Sequence, residues 1–320
     1  MNTVALIKLF GGLTYLLIAG DLLVRSALSL SRQARIPPMI VGLTVVAFGT
    51  SAPELVVSVS ATLQGLPGIA IGNVVGSNIT NVLLVLGLPA LIYAMGCNQP
   101  SASRDGSLML GVSVLFAGMC VMGALGVAQG VLLLLALAIY LILVARSGAL
   151  EVKELDTKVD RVLGLPSGKL MIALFFVLGL IGLQLGSKLT IDGVVVVAEQ
   201  IGVSETVVAL TMVALGTSLP ELATTMIAAF QRQPDVALGN VLGSNVFNLL
   251  GIMGVTCLVA PEPIEIAAST LHFDIPVMLG SALALAIFTW TGRSVGVRSG
   301  IVLLVAYVAY VGALLALRQG

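Results

Sequence analysis

Charge is what this chain has least of. Asp, Glu, Lys and Arg together make up 9% of its 320 residues, against about 25% in an ordinary soluble domain. Even a large soluble domain must cover its core with polar surface, so a chain that is 58% hydrophobic is excluded from that class and belongs in lipid. The fifteen basic and fifteen acidic residues cancel. No basic stripe is present and there is one Trp, which argues against a nucleic-acid partner. The three cysteines, Cys97, Cys120 and Cys257, are scattered through apolar segments without paired spacing. They read as small buried hydrophobes rather than a disulfide framework or a zinc site. Met1 to Phe10 has neither a basic leader region nor a small-residue cleavage site after it, so it reads as the start of a retained helix.

What the chain does have is apolar runs of membrane length. A spanning helix needs about 20 mostly apolar residues, and ten such stretches fall near 4–24, 38–62, 68–95, 107–125, 129–146, 170–192, 205–230, 236–260, 275–291 and 299–317. The expectation is an all-α integral membrane protein, with Gly, Ser and Ala allowing close helix packing. One set of alternate loops holds twelve Lys and Arg residues and the opposite set holds only Lys8, Lys188 and Arg318. The basic side is cytoplasmic, which puts both termini outside, in a plasma (inner) membrane. Residues 148–169 form the one long polar stretch and read as a cytoplasmic linker.

The linker divides two halves that repeat. VGLTVVAFGTSAPEL (41–55) matches VALTMVALGTSLPEL (208–222) at eleven of fifteen positions, and IGNVVGSNITNVLLVLG (71–87) matches LGNVLGSNVFNLLGIMG (238–254) at nine of seventeen. Both pairs share one offset of 167 residues. Five spans per half is an odd number, so 1–147 and 170–320 would be inverted five-helix repeats. Such repeats place their ion sites near the membrane midplane.

The best-matched residues are polar ones inside lipid. Glu54 and Glu221 occupy equivalent positions with no Lys or Arg nearby in sequence, although each ionised carboxylate costs at least ~2.5–3.5 kcal/mol at membrane depth. Ala47, Thr50, Ser51 and Glu54 share one helix face, as do Ala214, Thr217, Ser218 and Glu221. Pro53 and Pro220 leave the carbonyls of Gly49 and Gly216 without their usual donor. In the second motif Asn73, Ser77 and Asn81, and again Asn240, Ser244 and Asn248, share a face. Gly72, Gly76, Gly239 and Gly243 would admit a neighbouring helix. Asn73 and Asn240 read equally well as interhelical glue, whereas Ser77, Asn81, Ser244 and Asn248 are the better ligand candidates. All donors are oxygen, with no His or Cys, which disfavours zinc, copper and iron. Calcium accepts six to eight oxygens in flexible geometry; sodium could use the same ones.

At these residues the chain resembles the sodium/calcium exchanger branch of the cation/calcium exchangers, in a compact prokaryotic form. The G-T-S-x-P-E-L and G-N-x-x-G-S-N-x-x-N motifs, each present twice, carry the likeness. The resemblance implies a transporter rather than an enzyme, with Ca2+ and Na+ as transported ligands and no cofactor. It implies alternating access, with the first two spans of each half sliding against the motif bundle, and calcium leaving the cell as several sodium ions enter. It gives Glu54 and Glu221 both ions, and Thr50 and Thr217 a share of a central calcium site. Ser51, Ser77, Ser218 and Ser244, with the carbonyls of Ala47 and Ala214, match flanking sodium positions. Some microbial members carry Asp at the position of Asn248, so this chain has two central carboxylates rather than three. The rivals are a calcium/proton exchanger, in which the two Glu carry protons, a potassium-dependent sodium/calcium exchanger, a channel, and an intramembrane hydrolase using Ser51 or Ser218. Inverted repeats with broken helices point to a carrier rather than a channel. The hydrolase lacks a base, since the sole His272 is expected in an outside loop. Glu262, Glu265, His272 and Asp274 are expected to be solvated there, and Asp21 and Asp192 to face interfacial water.

Overall fold

The computed structural model describes residues 3–99, 101–150, 164–200 and 216–319. Helix α1 (Thr3–Ala34) ends where Arg35 takes the left-handed conformation at φ 54°. Helix α2 (Pro38–Thr50) contains a π turn over Gly42–Val46. Pro53 has no N–H to offer back to Gly49, and the chain bends by 41° at Ser51 into α3 (Ala52–Leu63). Helix α4 (Pro67–Leu91) carries a second π turn over Asn81–Val85, and α5 (Ala102–Cys120) and α6 (Val127–Leu150) follow. Helix α7 (Lys169–Gln200) leads to α8 (Leu219–Phe230), which begins after Ser218 at φ −85°, ψ 2°. Ser51, at φ −82°, ψ 5°, has the same break conformation. Helices α9 (Pro234–Val259, with a π turn over Phe247–Ile252), α10 (Thr270–Thr291) and α11 (Val297–Gln319) complete the chain.

Among the described residues, seven helices are long and apolar enough to cross a membrane, or eight when α2 and α3 count as one bent span. Two further expected spans do not reach that standard by themselves. Helix α5 carries Ser103, Arg104, Asp105 and Ser107 in its first turns, and α8 has 12 residues, with residues 201–215 before it outside the described set. Helix α6 runs to Leu150, into the expected linker, whose residues 151–163 lie outside the described set.

Helices α4 and α9 are the centre of the bundle: 78% and 83% of their apolar windows are buried, against 22% for α6 and for α11. Helices α1 and α7, 32 residues each, run alongside one another with backbones in contact. A Cβ on Gly12 would stand 2.5 Å from Thr190 N, and one on Gly179 2.9 Å from Leu23 N. These two contacts are related by the same 167-residue offset as the motifs. Two short ladders cross between distant loops. The strand Ala124–Leu125 (β1) pairs antiparallel with Ile264–Glu265 (β2), and Met95 forms a bridge with Val295.

Several solvated positions expected from sequence are corrected. Asp21 lies inside α1, bonded by Arg25 Nε at 2.6 Å and by Gln231 Nε2. Asp192 remains 41% exposed, in keeping with the expected interfacial position, and pairs with Lys8 at 3.3 Å across the α1–α7 contact. His272 belongs to the first turn of α10 rather than a loop. Asp274 is buried and accepts a 2.9 Å bond from Tyr310 Oη, so it leaves the expected acidic surface group. For Asp21 and Asp274 a partner distant in sequence, Gln231 or Tyr310, supplies what water was expected to supply, whereas His272 stays exposed with its ring Nδ1 2.7 Å from the Ala268 carbonyl.

Candidate functional site

The site forms where α2, α3 and α8 meet α4 and α9. The breaks before α3 and α8 put Glu54 and Glu221 in the first turns of their helices, where the partly positive helix end favours a carboxylate. Each is 1% exposed, and neither has an ion pair with Lys or Arg among the described residues.

Asparagines fix this arrangement by reaching between the halves. Asn73 Nδ2 donates to the Glu54 carbonyl (3.1 Å) and to Ser58 Oγ (3.0 Å), while its Oδ1 accepts from Thr217 Oγ1 at 3.2 Å. Asn240 repeats the pattern: Nδ2 donates to the Glu221 carbonyl (3.5 Å) and Thr225 Oγ1 (3.1 Å), and Oδ1 accepts from Thr50 Oγ1 at 3.2 Å. Both are therefore cross-links between the halves, and Thr50 Oγ1 also lies 3.3 Å from the Ala47 carbonyl. Ser51 Oγ donates to Glu221 Oε1 at 3.1 Å, and Asn81 Nδ2 donates to Asn245 Oδ1 at 3.2 Å.

Other polar atoms at this centre have no partner among the described residues. Glu54 Oε2, Glu221 Oε2, the hydroxyls of Ser77, Ser218 and Ser244, Asn81 Oδ1 and the whole Asn248 amide are buried without a hydrogen bond. Leaving a buried polar group unpaired costs about 1–3 kcal/mol each, so such a concentration is a strong sign of a ligand site. The π turns at Asn81–Val85 and Phe247–Ile252 enclose Asn81 and Asn248, and such turns are frequent at functional sites.

Of the residues expected from sequence, Ala47, Thr50, Ser51, Glu54, Ser77, Asn81, Ser218, Glu221, Ser244 and Asn248 are all buried, with Thr217 partly so. Ala214 lies outside the described residues. Gly239 and Gly243 do meet a neighbour: their Cα atoms lie against the Met39 and Leu43 carbonyls of α2. Around Gly72 and Gly76 no described atom falls within 4 Å of a Cβ position. The residues that correspond to Met39–Ala47 by the repeat offset, 206–214, lie outside the described set. Sequence reasoning missed Ser58, Thr225 and Asn245. The signal was available: a hydroxyl four residues after each Glu, and an Asn after each Gly-Ser, recur at the same offset.

A cavity of about 390 Å³ leads to this centre. It lies between α3 (Pro53, Val57) and α7 (Ser187, Lys188, Asp192), and ends on Gly216 and Thr217. At the equivalent place in the other half α1 is packed against α8: a Cβ on Gly20 would stand 3.3 Å from the Ala223 carbonyl. One approach holds the cavity, and at its counterpart α1 and α8 are in contact.

The donors are carboxylate, hydroxyl and amide. Among the described residues no group of three or more His, Cys, Asp or Glu could hold a metal, so a transition-metal centre does not suit the donor set. Comparison with known proteins agrees with these motifs. The family profile described as sodium/calcium exchanger protein matches residues 4–146 and 171–316. The putative antiporter CaxA of Alkalimonas amylolytica is 37% identical over 96% of this chain and 97% of its own. The sodium/calcium exchanger MaX1 of Methanosarcina acetivorans is 34% identical over 97% and 98%. The solved structure of the sodium-calcium exchanger NCX_Mj soaked with 10 mM Na+ and zero Ca2+ superposes with TM-score 0.83 at 29% identity, covering 98% of this chain and 100% of that one. A bundle of membrane-length helices with a bent pair at α2–α3, and a profile matched over residues 4–146 and 171–316, lead to one conclusion: the chain is a compact prokaryotic-type member of the sodium/calcium exchanger family.

Proposed function

We propose that this protein is a secondary active antiporter that exchanges Ca2+ for Na+ across the plasma membrane by alternating access. In this reading ten membrane segments form two inverted five-helix halves, 1–147 and 170–320, joined by a cytoplasmic linker at 148–169, with both termini outside. Helix α5 is a span with a polar entry, and α8 is the second part of a broken span that begins near residue 205. The observation that carries the ion assignment is the group of buried, unpartnered oxygens around Glu54 and Glu221. Two carboxylates balance one Ca2+, and hydroxyl and amide oxygens complete a flexible shell suited to calcium. Thr50 and Thr217, whose hydroxyl protons point to asparagines, offer the ion their remaining oxygen lone pairs and carbonyls. Ser51, Ser77, Ser218 and Ser244, with the Ala47 and Ala214 carbonyls and the Asn81 and Asn248 amides, take Na+ in flanking positions. More than two Na+ against two carboxylates leaves the sodium-loaded carrier positive, so exchange responds to membrane voltage.

The test is calcium-45 uptake into sodium-loaded vesicles carrying wild type or Glu54→Gln. Uptake that needs internal Na+, ignores an imposed pH gradient and disappears in Glu54→Gln is the expected outcome. Uptake driven as well by the pH gradient would replace Na+ by H+ as the coupled ion. No Ca2+ movement under either gradient would reject the substrate assignment.

A further inference from the structure

The open cavity carries an unbalanced positive charge at its rim. Asp192 is already engaged by Lys8 at 3.3 Å. Lys188, one turn earlier on α7 and also lining the cavity, is exposed and makes no ion pair. Helix α3 contributes Pro53 and Val57 to the opposite wall, and the floor is Gly216 and Thr217, so among the described lining residues no acid across the space offsets it. Three charged groups, Lys8, Lys188 and Asp192, leave one net positive charge on the approach to two carboxylates.

We propose that Lys188 is a charge filter that disfavours Ca2+ relative to Na+ at this mouth. The proposal rests on the calcium/sodium exchange reading above. Its physical basis is that Coulomb energy scales with ion charge: whatever factor Lys188 imposes on a monovalent ion is squared for a divalent one. At about 10 Å in a watery mouth that factor is about two for Na+, hence about four for Ca2+. The repeat offset makes the arrangement directional. The position equivalent to Lys188 is Asp21, and the position equivalent to Asp192 is Arg25. The order of charges is reversed between the halves, and at the second mouth Asp21 and Arg25 pair and cancel, so the same register is net positive at one mouth and neutral at the other. In the present state Asp21 is held by Arg25 and Gln231 behind the shut α1–α8 contact. When that side opens, a carboxylate lines it where the first mouth presents an ammonium.

The test uses the full chain in proteoliposomes, with Lys188→Cys modified by methanethiosulfonates ending in ammonium, hydroxyl or sulfonate. The native Cys97, Cys120 and Cys257 are buried, and wild type treated with the same reagents is the control. Initial uptake of calcium-45 and sodium-22 is measured from the face bearing residue 188. The expected result is that the neutral adduct raises apparent Ca2+ affinity about fourfold and Na+ affinity about twofold. The sulfonate adduct should extend both changes, the ammonium adduct should restore wild-type values, and high inert salt should shrink the differences. Equal changes for the two ions, or identical behaviour of ammonium and sulfonate adducts, would overturn the filter while leaving exchange intact. A wild-type protein that moves no Ca2+ would instead overturn the exchange reading beneath it.

Discussion

Asn73 and Ser77 stand one turn apart on α4, both buried, yet their bonding is opposite. Asn73 makes three hydrogen bonds and the Ser77 hydroxyl makes none. Asn73→Ala should therefore lower stability by about 1–3 kcal/mol, read as a fall in the thermal midpoint of the detergent-solubilised protein. Ser77→Ala removes a group with no partner to orphan. It should leave the midpoint nearly unchanged while raising several-fold the Na+ concentration needed for half-maximal exchange. A parallel fall in both midpoints would show that Ser77 is structural. Sequence alone placed both residues on one face, ranked Ser77 as the better ligand candidate and left Asn73 open between ligand and interhelical glue. The reason is distance along the chain: the Asn73–Thr217 bond spans 144 residues and the Thr50–Asn240 bond 190. Local spacing names the candidates, but only the folded pairing sorts cross-links from vacant donors.

At the scale of elements, prolines and glycines were the legible features. Pro53 announced the break at Ser51, and Gly239 and Gly243 announced a close neighbour. That neighbour is α2, and Gly243→Ala would drive a methyl group into the Leu43 carbonyl and the Ala47 side chain. The expected cost is about 1–3 kcal/mol of overpacking together with weakened Ca2+ binding, because α2 carries Thr50. Thermal unfolding with and without Ca2+ checks both effects. Helix ends were less legible. Helices α1 and α7 run well past the apolar windows near 4–24 and 170–192, since backbone bonding continues through residues that lipid would not accept. Asp21 and Arg25 are accommodated there as an i,i+4 pair. The π turns had no signature in composition; they depend on packing between helices rather than on local propensity.

For the molecule as a whole, the asymmetry between the two approaches to the site is the informative feature. Val57 lines the open cavity, whereas Val24, near the closed counterpart, is fully buried. Val57→Cys should react with an impermeant thiol reagent applied from the Lys188 face, and Val24→Cys should resist it. Equal labelling of both would show that the two approaches do not differ in solution. The inverted duplication was readable in the sequence because its two motifs keep one spacing, but which mouth stands open was not, since both halves carry the same motifs. The two backbone ladders described above bear on how such a chain is made. Ala124 and Leu125 find their partners about 140 residues later, at Ile264 and Glu265, and Met95 waits 200 residues for Val295. The bonds from Asn73, Thr50 and Ser51 likewise lead to the second half. During synthesis the first half therefore enters the membrane with its loops untied and its polar centre unmatched. Its assembly is completed only when nearly the last helix has emerged.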